Sequence, residues 1–544
     1  MFPIKSINSE RPRAEARAQV FDRDFKWIVG IVVLTLAVLM ALAIRADAQE
    51  EKRVLNLSLN QARELALKKS FDIQIQALST ESAYANLLGS YGIYNFSLTE
   101  SFQYNKTQER GITSFRGSAT NAQSLNSMLS RKIFTGADIS TYLNMRRSGS
   151  NSITSSLNPQ FNNSWNISVN QPILKNFGKT ATERQIMISR NSLKIDEASF
   201  ESQVIRTLVD LEGRYWDLGS AYDALKVSED ALQLAKDQLE INRIKVEVGS
   251  LPEIEITAAE ERVAAREAEL VDARAFLERA QDNLKQAIVS EEWEITIVPT
   301  DELHEPTPQE YNFRDYLEQA YKNRQELKQL DLQVENNNIS ISFARNQLLP
   351  QVDIVADVSL YSFGGTFTPN QFAPAPPEGL PLGFTSTLRD VFSGTNRDWT
   401  VGARFVYIFG NDAARSTLMT NRVMRRQNEL RIDQTRYSIA VEVRNAIREL
   451  RSSTEQLRAR RKALTYAERQ LEAEQQKFQV GSTTNFQVLQ YQNNLVSARY
   501  NVIVALVRYN KAEIDLERAT GKLLANRDVN IETTSNGISG AVMR

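Results

Sequence analysis

Leu211, Leu218, Leu225, Leu232, Leu239 and Val246 recur at every seventh residue, and the series stops at Val248-Gly249-Ser250. Adding 232 to each number gives Val443, Leu450, Leu457, Leu464, Leu471 and Phe478, which stop at Val480-Gly481-Ser482. Six apolar matches and one repeated tripeptide at a single offset mark an internal duplication of a long helical hairpin. A strict heptad underwinds helices into a left-handed supercoil, so each ladder must bury against another helix. From Ala181 to Glu247 there is no proline, and only Gly213 and Gly219 interrupt. At 1.5 Å per residue that predicts a helix about 100 Å long, too long for a globular domain.

The duplication extends outward. Ala273, Ala280, Leu284 and Ala287 match Ala505, Ala512, Leu516 and Ala519 at the same offset. Upstream the offset becomes 254, with Glu64, Ala66, Lys68 and Ile73 facing Glu318, Ala320, Lys322 and Leu327. Each copy therefore reads helix, variable middle, very long helix, Val-Gly-Ser turn, long helix. The first copy spans 49–290, with strands at about 95–175 and long helices over 180–290. A proline-bearing linker covers 291–310. The second copy spans 311–525, with strands at about 351–410 and helices over 412–524, and residues 526–544 read as a polar tail.

The middles alternate with period two, the signature of half-exposed strands. Phe96, Leu98, Phe102 and Tyr104 form one apolar row, interrupted by Glu100, and Trp165, Ile167, Val169 and Ile173 form another. Val352, Ile354, Ala356 and Val358, then Val401, Ala403, Phe405, Tyr407 and Phe409, do so in the second copy. The partner face is Ser, Thr, Asn, Gln and Asp. A soluble sandwich would turn the apolar rows inward, whereas a membrane barrel would turn them to lipid. Residues 124–147, with Thr135-Gly136-Ala137 as a turn, form an additional hairpin whose place in or beside the sheet is open. Each copy supplies at least two clear strands, four per chain. Four cannot close a membrane barrel, and three chains would bring about twelve.

Several function classes drop out. The 65 basic residues nearly cancel the 66 acidic ones, so there is no electrostatic footprint for nucleic acid. Without cysteine there is no disulfide, thiolate metal site or thiol nucleophile. The one histidine, His304, falls in the linker, where a solvated role is expected. No phosphate-binding loop or metal-ligand cluster occurs, and no carboxylate pair stands beside a candidate nucleophile. No enzyme activity, cofactor or metal is expected. At the N-terminus, Trp27–Ile44 is uncharged and apolar, follows Arg11, Arg13, Arg17, Arg23 and Lys26, and precedes Ala46-Asp47-Ala48. This reads as a signal peptide over 1–48 cleaved after Ala48, with a retained inner-membrane anchor as the alternative.

The duplicated helix–strand–strand–helix plan, the two Val-Gly-Ser turns, Gln171-Pro172-Ile173-Leu174 ending a strand and Ala519-Thr520-Gly521 ending the last helix resemble the TolC family of outer-membrane efflux proteins. The resemblance covers about residues 55–525. It implies an α+β membrane protein. As a homotrimer it would form a twelve-stranded barrel in the outer-membrane lipid of a Gram-negative bacterium, continuous with a long periplasmic α-helical barrel. Such a protein is the passive exit duct of a tripartite efflux pump or type I secretion system, working with a periplasmic adaptor and an inner-membrane transporter. The resemblance makes Val248, Gly249, Ser250, Val480, Gly481 and Ser482 adaptor-docking tips. Phe102, Tyr104, Trp165, Phe405 and Tyr407 become candidate membrane-interface aromatics. Where family members carry acidic residues at the periplasmic entrance this chain has Gln487 and Gln490, while Glu253 and Glu255 follow the first turn. The competing class is a periplasmic adaptor or coiled-coil structural protein anchored in the inner membrane by residues 27–44.

Overall fold

The computed structural model describes residues 53–109, 117–306, 310–371, 373–534 and 537–543. The signal-peptide expectation for residues 1–48 lies outside them. Among the described residues, no helix is long and apolar enough to cross a membrane.

The first copy opens with strand β1 (Val54–Leu57) and helices α1 (Leu59–Lys69) and α2 (Phe71–Ser90). Ser58 starts α1 through a capping box: its hydroxyl accepts from the Gln61 amide, and the Gln61 side chain accepts from the Ser58 amide. Four strands follow: β2 (Ser97–Gln108), β3 (Ala119–Lys132), β4 (Asp138–Ser150) and β5 (Leu157–Pro172). Helix α3 (Arg184–Glu247) then runs 64 residues and α4 (Ile254–Ala287) returns beside it. The second copy has α5 (Phe313–Asn323), α6 (Gln325–Asn346), β7 (Gln351–Phe367), a short helix α7 (Phe384–Ser393) and β8 (Arg397–Val406). It closes with α8 (Asp412–Gln479), 68 residues long, and α9 (Asn485–Thr520).

The linker holds a strand, β6 (Thr296–Pro299), which pairs in parallel with β1 and buries Ile297. His304 is exposed, with its ring edge-on to Trp216 at 5.5 Å. The polar tail expected at 526–544 is instead a hairpin, β9 (Val529–Thr534) and β10 (Gly537–Met543), docked on α1 and α2. Val529 and Ala541 are buried in the main core there, so two apolar anchors outweigh the polar residues around them.

The ladders are the helical cores. Leu211 and Leu218 are fully buried with Leu208 and Tyr215, and Val443, Leu450, Leu457, Leu471 and Phe478 are buried in the second copy. The first ladder loosens toward its end: Leu239 and Val246 are half-buried, and the polar Gln238 and Asn242 take the buried positions. Helix α3 also packs against α9 and α6, so the two copies share one wall.

One antiparallel sheet in the order β2-β3-β4-β5-β7-β8 lies beyond the helices. The first copy supplies four strands and the second two, where two apiece were the clear minimum from sequence. The additional hairpin is β3–β4, and it stands inside the sheet, between β2 and β5.

Candidate functional site

The two ends of the helices carry different chemistry. At the far end, α3 and α8 stop in the same way. Gly249 (φ 73°) and Gly481 (φ 76°) take the left-handed conformation. The Gly249 amide donates to the Val246 carbonyl at 2.9 Å and the Ser250 amide to that of Lys245 at 2.8 Å. The Gly481 and Ser482 amides donate likewise to the carbonyls of Phe478 and Lys477, at 3.3 and 2.9 Å. Both are Schellman caps, which use otherwise orphaned carbonyls of the last turn. A Cβ on either glycine would meet nothing within 4 Å, so the φ angle alone demands glycine there. Val248 and Val480 stand out from the caps, 68% and 79% exposed. Each hairpin thus ends in the same way, with one exposed valine beside its glycine.

The sequence reading missed what joins the two tips. The Lys245 ammonium donates to the Phe478 carbonyl at 2.7 Å and lies 3.6 Å from the centre of that ring, and burial pushes its pKa below the usual lysine range. Asn485 is buried, accepts from the Gln238 amide at 3.1 Å and donates to the Glu255 carboxylate at 2.8 Å. Gln238 also donates to Asn242 at 2.9 Å. Beside them Glu474 accepts from the Thr483 hydroxyl and, at 3.1 Å, from Lys477; these bonds hold its carboxyl below its ordinary range. The duplication offered a faint signal: at the 232 offset Asn242 faces Glu474 and Glu253 faces Asn485, so the copies differ chemically where they touch.

The four entrance candidates separate. Glu255 is half-buried and engaged by Asn485, whereas Glu253 is exposed. Gln487 and Gln490 are exposed on one side of the first turns of α9, the Gln490 amide donating to Asn494 at 3.3 Å. Thr484 caps that helix by accepting from the Gln487 amide.

At the sheet end, strand register sorts the side chains, because directly paired residues share a face. Phe102 pairs with Leu125, Leu125 with Met145, Leu143 with Trp165, Ile167 with Val358, and Val358 with Trp399. All six strands thus put their apolar rows on one face. The other face carries Ser101, Asn126, Asn144, Asn166, Asp357 and Thr400. Phe102, Tyr104, Phe405 and Tyr407 are exposed, Tyr407 lying just past the end of β8. Trp165 differs: it is half-buried, its indole N–H donates to the Thr141 hydroxyl at 2.7 Å, and Phe392 of α7 covers it at 5.5 Å between ring centres. Helix α7 lies against β5 and β7, and Gly364 allows the approach, since a Cβ there would sit 2.2 Å from the Pro381 carbonyl oxygen. An apolar face open to the surroundings except where α7 covers it, with a polar face behind it, is the arrangement of a membrane wall with a wet interior.

The sequence profile of the outer membrane efflux proteins matches residues 137–289 and 316–522, about two thirds of the chain. The chain belongs to the outer membrane efflux protein family. Solved structures of other outer-membrane proteins share its fold. The Campylobacter jejuni CmeC outer membrane channel is 16% identical, with 86% of each chain covered and a TM-score of 0.59. The Vibrio cholerae outer membrane protein VceC is 14% identical, covering 85% of this chain and 96% of its own, at a TM-score of 0.59. The Neisseria gonorrhoeae MtrE outer membrane channel, in its open state, is 13% identical over 88% and 94%, again at 0.59. A search of the curated proteins gave no match. The chain is thus an outer-membrane efflux duct of a Gram-negative bacterium: the sheet lies in the outer membrane and the helices form its periplasmic tunnel.

Proposed function

We propose that three copies assemble into one continuous passive duct, without enzymatic activity, whose tips dock a periplasmic adaptor fed by an inner-membrane transporter. The observation that carries this reading is polarity along a single element. Helices α3 and α8 join a sheet with an open apolar face to two matching caps that each expose a valine. The sheet belongs in lipid, the caps belong on a protein, and the helices bridge them. Energy would come from the transporter, and cargo would move along the polar face of the sheet. In this reading Val248, Gly249, Ser250, Val480, Gly481 and Ser482 form the docking ring, and Gln487, Gln490 and Glu253 border the entrance. Widening the entrance requires the bonds of Asn485 and Lys245 between the two hairpins to give way. The full-length protein, extracted in mild detergent, is expected to migrate as a trimer and to conduct in planar bilayers. Asn485→Ala should raise the open fraction while the trimer persists. A stable monomer without conductance would overturn the assembly. The competing reading, an adaptor held in the inner membrane, has no use for a sheet with one open apolar face.

A further inference from the structure

Among the described residues, two strands of the wall have no counterpart in the second copy. We propose that the hairpin β3–β4 is lipid-facing wall, so that three copies close an eighteen-stranded barrel instead of the twelve-stranded one that four strands per chain would give. The proposal rests on the trimeric duct above, and the test separates the two.

Pairing comes first. β3 pairs with β2 from Ser97↔Ser130 to Gln108↔Ala119 without a register shift, and with β4 from Thr120↔Ser150 to Lys132↔Asp138. β4 then pairs with β5 from Asp138↔Asn170 to Ser148↔Gln160. A hairpin lying beside the wall would leave β2 bonded to β5. Here β2 reaches β5 only through the hairpin.

The faces agree. Leu125 and Leu129 of β3 and Ile139, Leu143 and Met145 of β4 lie on the apolar face shared by all six strands. Ser124, Asn126, Ser140 and Asn144 lie behind them, with Met128 and Tyr142 as the exceptions. Two hydroxyls on the apolar side are engaged within that face: Ser127 donates to Glu100, and Thr141 accepts from Trp165. Leu125, Leu129 and Ile139 remain uncovered, 36–39% exposed. Hydrocarbon is the surrounding that this face suits.

Parity and length complete the case. Six alternating strands make β2 and β8 antiparallel, so the free edge of β8 in one copy meets β2 of the next in ladder geometry. Such open edges are a liability unless closed, and a second copy of the chain closes them. The hairpin strands have 14 and 13 residues, above the roughly 9–11 that a tilted membrane strand needs. With strands about 4.8 Å apart and tilted about 40°, twelve strands enclose a ring about 24 Å across and eighteen one about 36 Å across. The outlet would be half again as wide, in the range where barrels keep an aqueous channel.

The chain lacks cysteine, so single cysteines can be introduced into the full-length protein in outer membranes. Leu125→Cys, Leu129→Cys and Leu143→Cys should lose labelling by a membrane-impermeant maleimide and keep labelling by a lipid-soluble one. Asn126→Cys and Asn144→Cys should label from water. Phe102→Cys and Val401→Cys report on β2 and β8 independently. If those two are protected while all hairpin positions label from water, the duct stands and the widened barrel falls. If those two also label from water, the duct reading itself fails. Electron cryomicroscopy of the trimer should count eighteen strands, and a count of twelve would overturn the proposal.

Discussion

Glu212 shows how much a single carboxylate can hold. It is 1% exposed in its side chain and receives Arg63 at 2.8 Å and Arg527 at 3.0 and 3.1 Å. It therefore ties α1 and the segment leading into the C-terminal hairpin to α3. Glu212→Ala would leave the buried Arg63 guanidinium without an anion and Arg527 with Glu517 alone, at 2.7 Å. That should cost about 3–5 kcal/mol, read as a lower denaturation midpoint, with Glu212→Gln losing less. Its partners lie 149 and 315 residues away, and no local pattern in a single sequence announces such a clamp. Glu474 makes a pH prediction. Thr483 and Lys477 lower its folded pKa below the unfolded value of 4.5, so its contribution is fully present above pH 4.5. It is lost as pH falls through the lowered folded value. Amide-exchange protection around residues 474–484 should fade on acidification below 4.5, and Glu474→Gln should abolish that step. An unchanged pH profile in the variant would refute the assignment.

Among elements, the heptad ladder was the most legible, because burial every seven residues is dictated by helix geometry alone. Leu457→Ala, at a fully buried position, should cost about 2–5 kcal/mol in trimer melting experiments. The caps were legible too, but for a narrower reason than bulk. Space around Gly481 is open, so Gly481→Asn should be nearly silent, while Gly481→Val should strain the cap by about 1–2 kcal/mol and weaken adaptor pull-down. Equal pull-down by both variants would remove the docking role. The β9–β10 hairpin escaped the sequence reading because its strands are short and anchor through only a few apolar side chains, Val529 and Ala541 among them. The polar lock at the tips escaped it because Gln238, Asn242 and Asn485 look like solvated helix residues until their surroundings are known.

For the assembled molecule, the alternation of the middles foretold a wall with an apolar and a polar face, but not how many strands it would hold. Period-two patterns in β3 and β4 are diluted by Ser127 and Thr141, and only the register shows these hydroxyls engaged on the apolar side. The entrance chemistry also belongs to this scale, since any residue at the tips is repeated in every copy. Gln487→Glu with Gln490→Glu should shift bilayer reversal potentials toward cation preference; an unmoved potential would place these side chains away from the conducting path. The unbroken α8, about 100 Å from sheet to tip, has a last consequence. It is a ruler that fixes how far the glycine caps stand from the sheet, and the ruler is graduated in heptads. One heptad adds about 10 Å and returns the seam to its partner, whereas an insertion of one residue turns the apolar row away by about 100°. A change in the gap between the two membranes would therefore be matched in steps that restore the seam, seven residues being the shortest such step close to a whole number of turns, made at once in all four long helices.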